Sequence, residues 1–583
     1  MRDRATRPGS ATSAPDATSA LHAPSALDAL RVRLFALLMT VQLVNAIAVW
    51  AHVVTVQWTL TERGESAAVV SLAPASLALP FLLLSLPVGA WVGFAPRGRL
   101  LIASTAASVL AALVGAALGA AGDLHWTAMV GTVLVVGAAL VVTGVTWQAM
   151  IPDVVGRHLM GSASVVDGSA YNVARAVGPL LAGVGLGWVG VSGTFVAVSL
   201  LFGACTLVLL VVEVRHPSAR GPRRPIVGEM LGGLRFTRHS PWTRRLLTRM
   251  VCFGLPASAL WALVSLVVHD RLGLGSTGFG VVMALVGSGA VVATFVLPPL
   301  RGRLSVPVFA ALGSGLYALT LLVMGLVTVP AVVGGVLVLG GVAWVGVQST
   351  WMTLAQQALP EWVRPRVIAL LLFLFQGTQA IGSFAWGVVA DLVGLPAALV
   401  AAAVAMCASI VVLLRLGLAS AEGIEPVLVE ADDATHGLLT SLSDLEPGPI
   451  EVTHHYSVLP GRSDDFVRAM EPLRLSRLRT GATRWRLHEP AGGAHAASPW
   501  VENYVLVDPV ELFAQETERL TVPEMRLRTA VHLLADRVEG PFVSSSASTP
   551  EPPARPARRA DSGQGTTPHR PGAVPTPDEG GRE

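Results

Sequence analysis

The chain has 583 residues, of which 52% are hydrophobic and 14% charged, with a formal net charge of +3 and a mean hydropathy of +0.61. Soluble globular domains carry about a quarter of their residues as charges, so an ordinary soluble protein is excluded. A mainly disordered chain is excluded on the same ground, and 59 Gly and 39 Pro without a short period exclude a fibrous repeat. The expected environment is a lipid bilayer.

In chain order, residues 1–30 are rich in Ala, Ser, Thr and Pro and are expected to form a disordered cytoplasmic tail. From Leu34 to Leu418, apolar segments of the length that crosses about 30 Å of hydrocarbon recur between short charged or Gly/Pro breaks. Twelve are expected, at 34–58, 67–94, 100–122, 124–150, 160–188, 191–213, 246–269, 277–299, 304–327, 330–356, 367–391 and 396–418. The fifth and sixth are separated only by a Gly-rich turn. Alternate connections carry the Arg: Arg97 and Arg99, Arg157, eight Arg from Arg215 to Arg245, Arg301 and Arg303, then Arg364 and Arg366. The other set is almost bare, so the positive-inside rule puts the Arg-bearing loops and both termini in the cytoplasm.

The sequence repeats itself at an offset of 204 residues: Arg97-Gly98-Arg99-Leu100 returns as Arg301-Gly302-Arg303-Leu304, and Trp147, Ala176, Gly178 and Gly183 return as Trp351, Ala380, Gly382 and Gly387. The expectation is a parallel duplication of two six-helix halves, 31–214 and 246–419, joined by a basic cytoplasmic loop over 215–245. An acidic linker follows at 420–445, then a small cytoplasmic domain over 446–540 and a disordered tail over 541–583. In that domain Ile450 to Val458, Arg484 to His488 and Trp500 to Val507 read as strands, and Asp464 to Arg479 and Pro509 to Arg519 as helices. The order suggests an α+β fold of the ferredoxin-like kind. The fold class is thus an all-α polytopic membrane protein with an appended α+β domain.

Cys205, Cys252 and Cys407 lie in apolar segments without ligand or disulfide spacing, so no metal site is expected. A phosphate loop of the GxxxxGK[ST] type is absent, which argues against self-contained ATP-driven transport. Nothing suggests a cofactor or a nucleic-acid partner.

Several stretches carry a family likeness: Leu86-Pro87-Val88-Gly89-Ala90, Ala170 through Pro179, Gly278-Phe279-Gly280 through Gly289, and Phe375-Gln376-Gly377 through Trp386-Gly387. With the two-half plan, they resemble the major facilitator superfamily of secondary transporters, and more closely its enterobactin-exporter-like branch, the transmembrane secretion effector family. The resemblance covers about 31–540, because members often end in a domain similar to half of a dimeric α-β barrel; it implies possible dimerisation there. It implies gating roles for Gly89, Arg97, Arg99, Arg301 and Arg303. The superfamily's Asp after the second helix is replaced by Gly93, so its latch must differ or be weaker. Gly178-Pro179 with Ala182-Gly183 resembles the helix-5 motif of proton-linked drug antiporters, although small-residue helix packing explains the same residues.

Arg175 is the most informative residue, because an Arg near the centre of a span costs about 2.5–3.5 kcal/mol on insertion scales. It either contacts an anionic or polar substrate, or caps carbonyls and pairs between helices; Asn172 can share either role. Asp167, about 12 Å from Arg175 along the helix, is a candidate proton carrier or a hydrated carboxylate near the helix end. Asn45, Gln57, Gln148, Gln348, Gln376 and Gln379 either line a central cavity or bond between helices, and Trp50 and Trp261 either line it or anchor at the interface.

The resemblance implies a non-enzymatic exporter of a small amphipathic product, siderophore- or antibiotic-like, in the plasma membrane, working by alternating access against proton entry. The rival readings are a non-transporting receptor or scaffold that uses the C-terminal module, and a membrane-tethered oxygenase suggested by fold analogy alone.

Overall fold

The computed structural model describes residues 27–92, 95–212, 226–415, 448–490 and 499–545. Of the tails expected over 1–30 and 541–583, residues 1–26 and 546–583 lie outside the described residues, as do the linker, the basic stretch before 226, and Gly93; the remainder is ordered, as a short 3-10 turn over Asp28–Arg31 and the end of a strand that reaches Ser545.

Long helices fill the membrane part: α1 Arg33–Glu62, α2 Ala67–Val92, α3 Arg97–Ala121, α4 Trp126–Val155 and α5 Met160–Val212. A shorter α6, Ile226–His239, falls within the expected basic loop and leads into α7 Pro241–Leu266, which closes in a π turn over Val267–Arg271. Then come α8 Ser276–Arg301, α9 Val306–Leu326, α10 Pro330–Ala358, α11 Arg364–Val393 and α12 Leu395–Arg415. Ser240 starts α7 as an N-cap whose hydroxyl accepts from the Thr243 amide at 3.4 Å, with Pro241 at the first helical position, so the span begins at 241 and not 246.

Eleven helices among the described residues are long and apolar enough to cross a membrane. One of them, α5, is 53 residues long and loses helical geometry at Gly190 (φ 68°, ψ −173°). The chain reverses there: a Cβ on Gly185 would lie 3.0 Å from the Thr194 hydroxyl, a contact that a straight helix cannot make across nine residues. The limbs 160–189 and 191–212 therefore run back along one another.

Proline shapes the packing of α2. Pro80 has no amide hydrogen for the Ser76 carbonyl, and Gly137 of α4 fits against that carbonyl, where a Cβ would come within 3.0 Å. The helices group into two bundles, α1–α5 and α7–α12, joined chiefly by α2 against α11 and α5 against α8. Equivalent glycines make equivalent contacts: a Cβ on Gly178 would strike the Ile47 carbonyl at 2.7 Å, and one on Gly382 the Leu255 carbonyl at 3.1 Å. Gly183 and Gly387 do the same against the starts of α8 and α2.

The C-terminal module is built from β1 Ile450–Val458, α13 Ser463–Thr480, β2 Arg484–His488, β3 Trp500–Leu506, the short α14 Pro509–Phe513, α15 Val522–His532 and β4 Ala535–Ser545. Its antiparallel sheet has the order β2-β3-β1-β4. The helix expected over 509–519 is α-helical only to Phe513 and then becomes a π turn. Sequence reading missed α15 and β4. Gly540-Pro541 in β4 argues against a strand, but the pairing of β4 with β1 shifts register between Thr453 and His455, opposite that dipeptide.

Candidate functional site: a donor-lined cavity between the bundles

Halfway along the helices, both bundles contribute to a cavity of about 90 Å3. At about 15 Å3 of such space per molecule it has room for about six waters. Its wall is mostly aromatic and aliphatic, with Trp50, Phe81, Tyr171, Trp261, Trp344 and Phe375 as the rings. The polar groups are Gln57, Arg175, Gln376, Gln379 and Ser383.

Arg175 is brought there by the first limb of α5, one turn before Gly178-Pro179. Its guanidinium carbon stands 5.4 Å from the Trp50 ring, 5.3 Å from Tyr171 and 5.5 Å from Trp261. Each such contact is worth about 0.5–2 kcal/mol, so the three offset most of the cost of a central Arg. Neither a carbonyl nor a carboxylate bonds it among the described residues, and its Nε is buried without a partner. The aromatic cage was half visible in the sequence: Trp50 and Trp261, both singled out there, meet at 5.7 Å. Trp344, Phe375 and Ser383 were missed. The spacing of Gln376, Gln379 and Ser383, three and then four residues, was a usable signal, since it marks one polar face of α11.

Not every expected residue reaches this wall. Asp167 lies about 12 Å along α5 from Arg175 and accepts from Trp147 Nε1 at 2.8 Å and Gln148 Nε2 at 3.0 Å. Those three groups form a separate site within the first bundle, outside the cavity. Asn172, Asn45 and Gln348 also stand outside the wall, Asn45 being buried and Asn172 and Gln348 half-buried.

The cavity is roofed where α1 meets α7. Gln57 Nε2 donates to the Trp261 carbonyl at 2.9 Å, and one turn farther Thr61 Oγ1 donates to Ser265 Oγ at 2.9 Å. Both pairs join residues 204 apart, so each links equivalent positions of the duplicated halves across their shared axis. Beyond them, Asp391 at the end of α11 accepts from the Ala67 and Ala68 amides at 2.7 and 3.0 Å and so caps α2. These contacts lie at the Arg-poor end of the helices.

At the Arg-bearing end each half bonds to itself. Arg97 donates to the Ala149 carbonyl at 3.0 Å and pairs with Asp153, while Arg301 donates to Ser349 and to the Gly346 carbonyl. Arg99, Arg303 and Gly89 are exposed, and a Cβ on Gly89 would meet nothing within 4 Å. Here the C-terminal module docks: Arg235 of α6 pairs with Glu511 at 3.5 Å, and Arg519 stacks 5.0 Å from Trp362, in the α10–α11 connection. Burial opposes ionisation of Glu511, but bonding to Arg519 holds its carboxyl below the ordinary carboxylate range.

The module itself has a buried charged interior. Glu502 is fully buried and accepts from Tyr456 Oη and Trp485 Nε1, each at 2.8 Å. Burial works against its ionisation, yet Arg477 and these donors hold it below the usual value. Burial, then Arg477, push His454 down to about 3, so it stays neutral. Among the described residues no group of three His, Cys, Asp or Glu side chains is placed to hold a metal ion.

Comparison with known proteins agrees with this architecture. The profile of the transmembrane secretion effector family matches residues 24–551. An uncharacterized MFS-type transporter, y4rN, of Sinorhizobium fredii (strain NBRC 101917 / NGR234) is 27% identical over 144 residues, or 24% of this chain and 35% of that protein. The aligned part thus spans about a third of that relative's length. Among solved structures, a mutant of the nucleoside transporter NupG superposes with a TM-score of 0.56 at 10% identity, over 66% of this chain and 99% of that one. A transporter of the POT family gives a TM-score of 0.53 at 12% identity, over 66% of this chain and 96% of that one. A bacterial homologue of the lysosomal transporter Spinster gives a TM-score of 0.51 at 15% identity, over 66% and 95%. At such identities these likenesses speak for the fold alone. The profile covers nearly the whole chain, and with it the chain belongs to the transmembrane secretion effector family: it is a multi-pass membrane transporter of the major facilitator type, not an enzyme.

Proposed function

We propose that this protein exports a small amphipathic molecule across the plasma membrane by alternating access, with the cavity around Arg175 as its binding site. The observation that carries the reading is the cavity's position: it lies between two pseudo-equivalent bundles that touch each other at the Arg-poor end and bond internally at the Arg-bearing end. Two bundles hinged in this way expose one central site to either side in turn. Ligand pockets for drug-sized molecules run to about 300–1,000 Å3, so the bundles must part further to take such a cargo than they do around this cavity.

We read the reversal at Gly190 as a loop between two crossings, which brings the crossings to twelve and places both termini on the Arg-rich, cytoplasmic side. The sheet order β2-β3-β1-β4 supports a ferredoxin-like module, whose open sheet face is the candidate surface for dimerisation. Proton entry is the proposed driving force, with Asp167, Trp147 and Gln148 as the carrier site, since this carboxylate sits among neutral donors rather than beside a cation. Inward movement of one charge supplies about 2.3 kcal/mol per 100 mV.

The experiment is efflux from cells matched for membrane expression of wild type, Arg175→Ala and Asp167→Asn, over a panel of siderophores and amphipathic antibiotics. Export by the wild type that fails in Arg175→Ala and stops when the proton gradient collapses is the expected result. Export that survives collapse of the gradient removes proton coupling. If the wild type exports nothing while the C-terminal module still binds a partner, the receptor reading replaces this one.

A further inference from the structure

The hydrogen-bonding capacity of the wall residues leans toward donors. Three of their N–H groups are buried without an acceptor: Arg175 Nε, Trp261 Nε1 and Trp344 Nε1. Trp261 and Trp344 are only 6% and 3% exposed, so bulk water does not reach these indoles freely. Ser383 Oγ, 1% exposed, is unbonded as well. Against the three donors the wall leaves one buried acceptor unbonded, Gln379 Oε1, and it holds no Asp or Glu among its residues. The one carboxylate nearby on α5, Asp167, is already occupied by Trp147 and Gln148.

A buried donor without an acceptor is costly, and a half-buried cation without a counter-charge adds to that cost. The aromatic cage eases the charge of Arg175 at its flat faces, but rings leave the N–H edges of a guanidinium unbonded. What completes this wall is a group with several lone pairs and a negative charge. The rest of the lining, including Leu77, Phe81, Met283 and Phe375, suits an apolar or aromatic body.

We propose that the cavity selects amphipathic anions: a substrate whose carboxylate- or phenolate-type head bonds Arg175, Trp261 and Trp344 while its apolar body packs on Phe81 and Phe375. This rests on the reading of the cavity as the transport site and adds the charge of the cargo to it. The two indoles are then specificity-determining donors. An amine-bearing analogue of the same shape places a cation against Arg175 and leaves all three donors unbonded, so it is rejected both by repulsion and by desolvation.

The test uses the purified full-length protein in detergent. Quenching of its tryptophan fluorescence is titrated with three compounds of one shape: 2-naphthylacetate, its primary amide, and 2-(2-naphthyl)ethylamine. The acid is expected to bind about 10- to 100-fold more tightly than the amide, since a hydrogen bond to a charged group is worth about one to two such factors of ten, and the amine should bind least. Trp344→Phe keeps a ring and removes the N–H, and should lower the preference for acid over amide about tenfold. Arg175→Gln should abolish that preference. Equal binding of acid and amide by the wild type overturns the proposal, and so does an unchanged preference in both variants. Chloride that suppresses quenching by the acid at concentrations no higher than the acid's own, against a gluconate control, would also overturn it, because a small inorganic anion would then be the occupant. Failure to bind any of the three at millimolar concentration counts against it too. Export of neutral or cationic compounds in the cell assay would leave the transport reading standing while this inference falls.

Discussion

Gly183 is the position where a single methyl group should move the transporter between states. An added Cβ would lie 2.5 Å from the Ser276 carbonyl oxygen and 2.7 Å from Gly280 Cα. Both are backbone atoms at the start of α8, so no side chain can swing away. Overpacking of this kind costs about 1–3 kcal/mol, and the cost falls only on the arrangement in which the two bundles touch at the Arg-poor end. Gly183→Ala should therefore shift the balance between closed and open Arg-poor ends roughly five- to 150-fold toward open. The assay is a spin-label distance between Trp188→Cys and Asp270→Cys, two exposed positions at that end, after Cys205, Cys252 and Cys407 are replaced by Ser. Gly183→Ala should add a longer-distance population that the parent lacks. Gly203→Ala, where a Cβ would meet nothing within 4 Å, should leave the distribution alone. If Gly183→Ala also leaves it unchanged, the close approach of α5 and α8 does not hold the Arg-poor end shut and the reasoning fails.

Three further outcomes are expected. Asp391→Ala removes the cap that α11 places on α2 and should cost the closed arrangement about 0.5–2 kcal/mol, moving the same spin-label distance in the same direction; no movement would reduce this contact to a surface detail. Trp362→Ala removes the ring under Arg519 and should raise hydrogen exchange in α6 and α14, read by mass spectrometry on the full-length protein, whereas unchanged exchange would mean that the ionic contact of Arg235 with Glu511 suffices for docking. The C-terminal module should lose stability in acid, because His454 is held at about 3 in the fold against 6.5 unfolded. The unfolded chain takes up that proton first, so the contribution is complete above 6.5 and declines as pH falls toward about 3. Between pH 7 and pH 5 about 2 kcal/mol is lost, visible as faster exchange in β1 and β3; His454→Gln should flatten this dependence, and an equally steep one in that variant would place the effect elsewhere.

The bilayer architecture was legible because length and hydropathy alone decide whether a helix can cross a membrane, and the repeat showed where the halves begin. The break at Gly190 was legible too, since Gly-rich sequence interrupts an apolar run at that point. What sequence could not supply was depth. Gln148 and Asp167 were grouped with Arg175, but Gln148 stands about 12 Å along α4 from Leu140, the wall residue of that helix, as Asp167 does from Arg175 on α5. The cage around Arg175 draws on Trp261, in the other half of the chain, and no local spacing encodes that meeting. The inter-half hydrogen bonds were hidden for the same reason, although their partners occupy equivalent positions. In the module, a strand containing Gly540-Pro541 contradicts local propensity and is tolerated only through the irregular register with β1.

The central claim, that transport requires the two bundles to separate at the Arg-poor end, is tested most directly by locking that end. Thr61 and Ser265 face each other across the halves with their hydroxyls 2.9 Å apart. Thr61→Cys with Ser265→Cys, in the background lacking the native cysteines and reconstituted in liposomes, should form a disulfide on oxidation. The account predicts that the oxidised protein still binds substrate but no longer moves it, and that reduction restores transport. Undiminished transport by the cross-linked protein would contradict it.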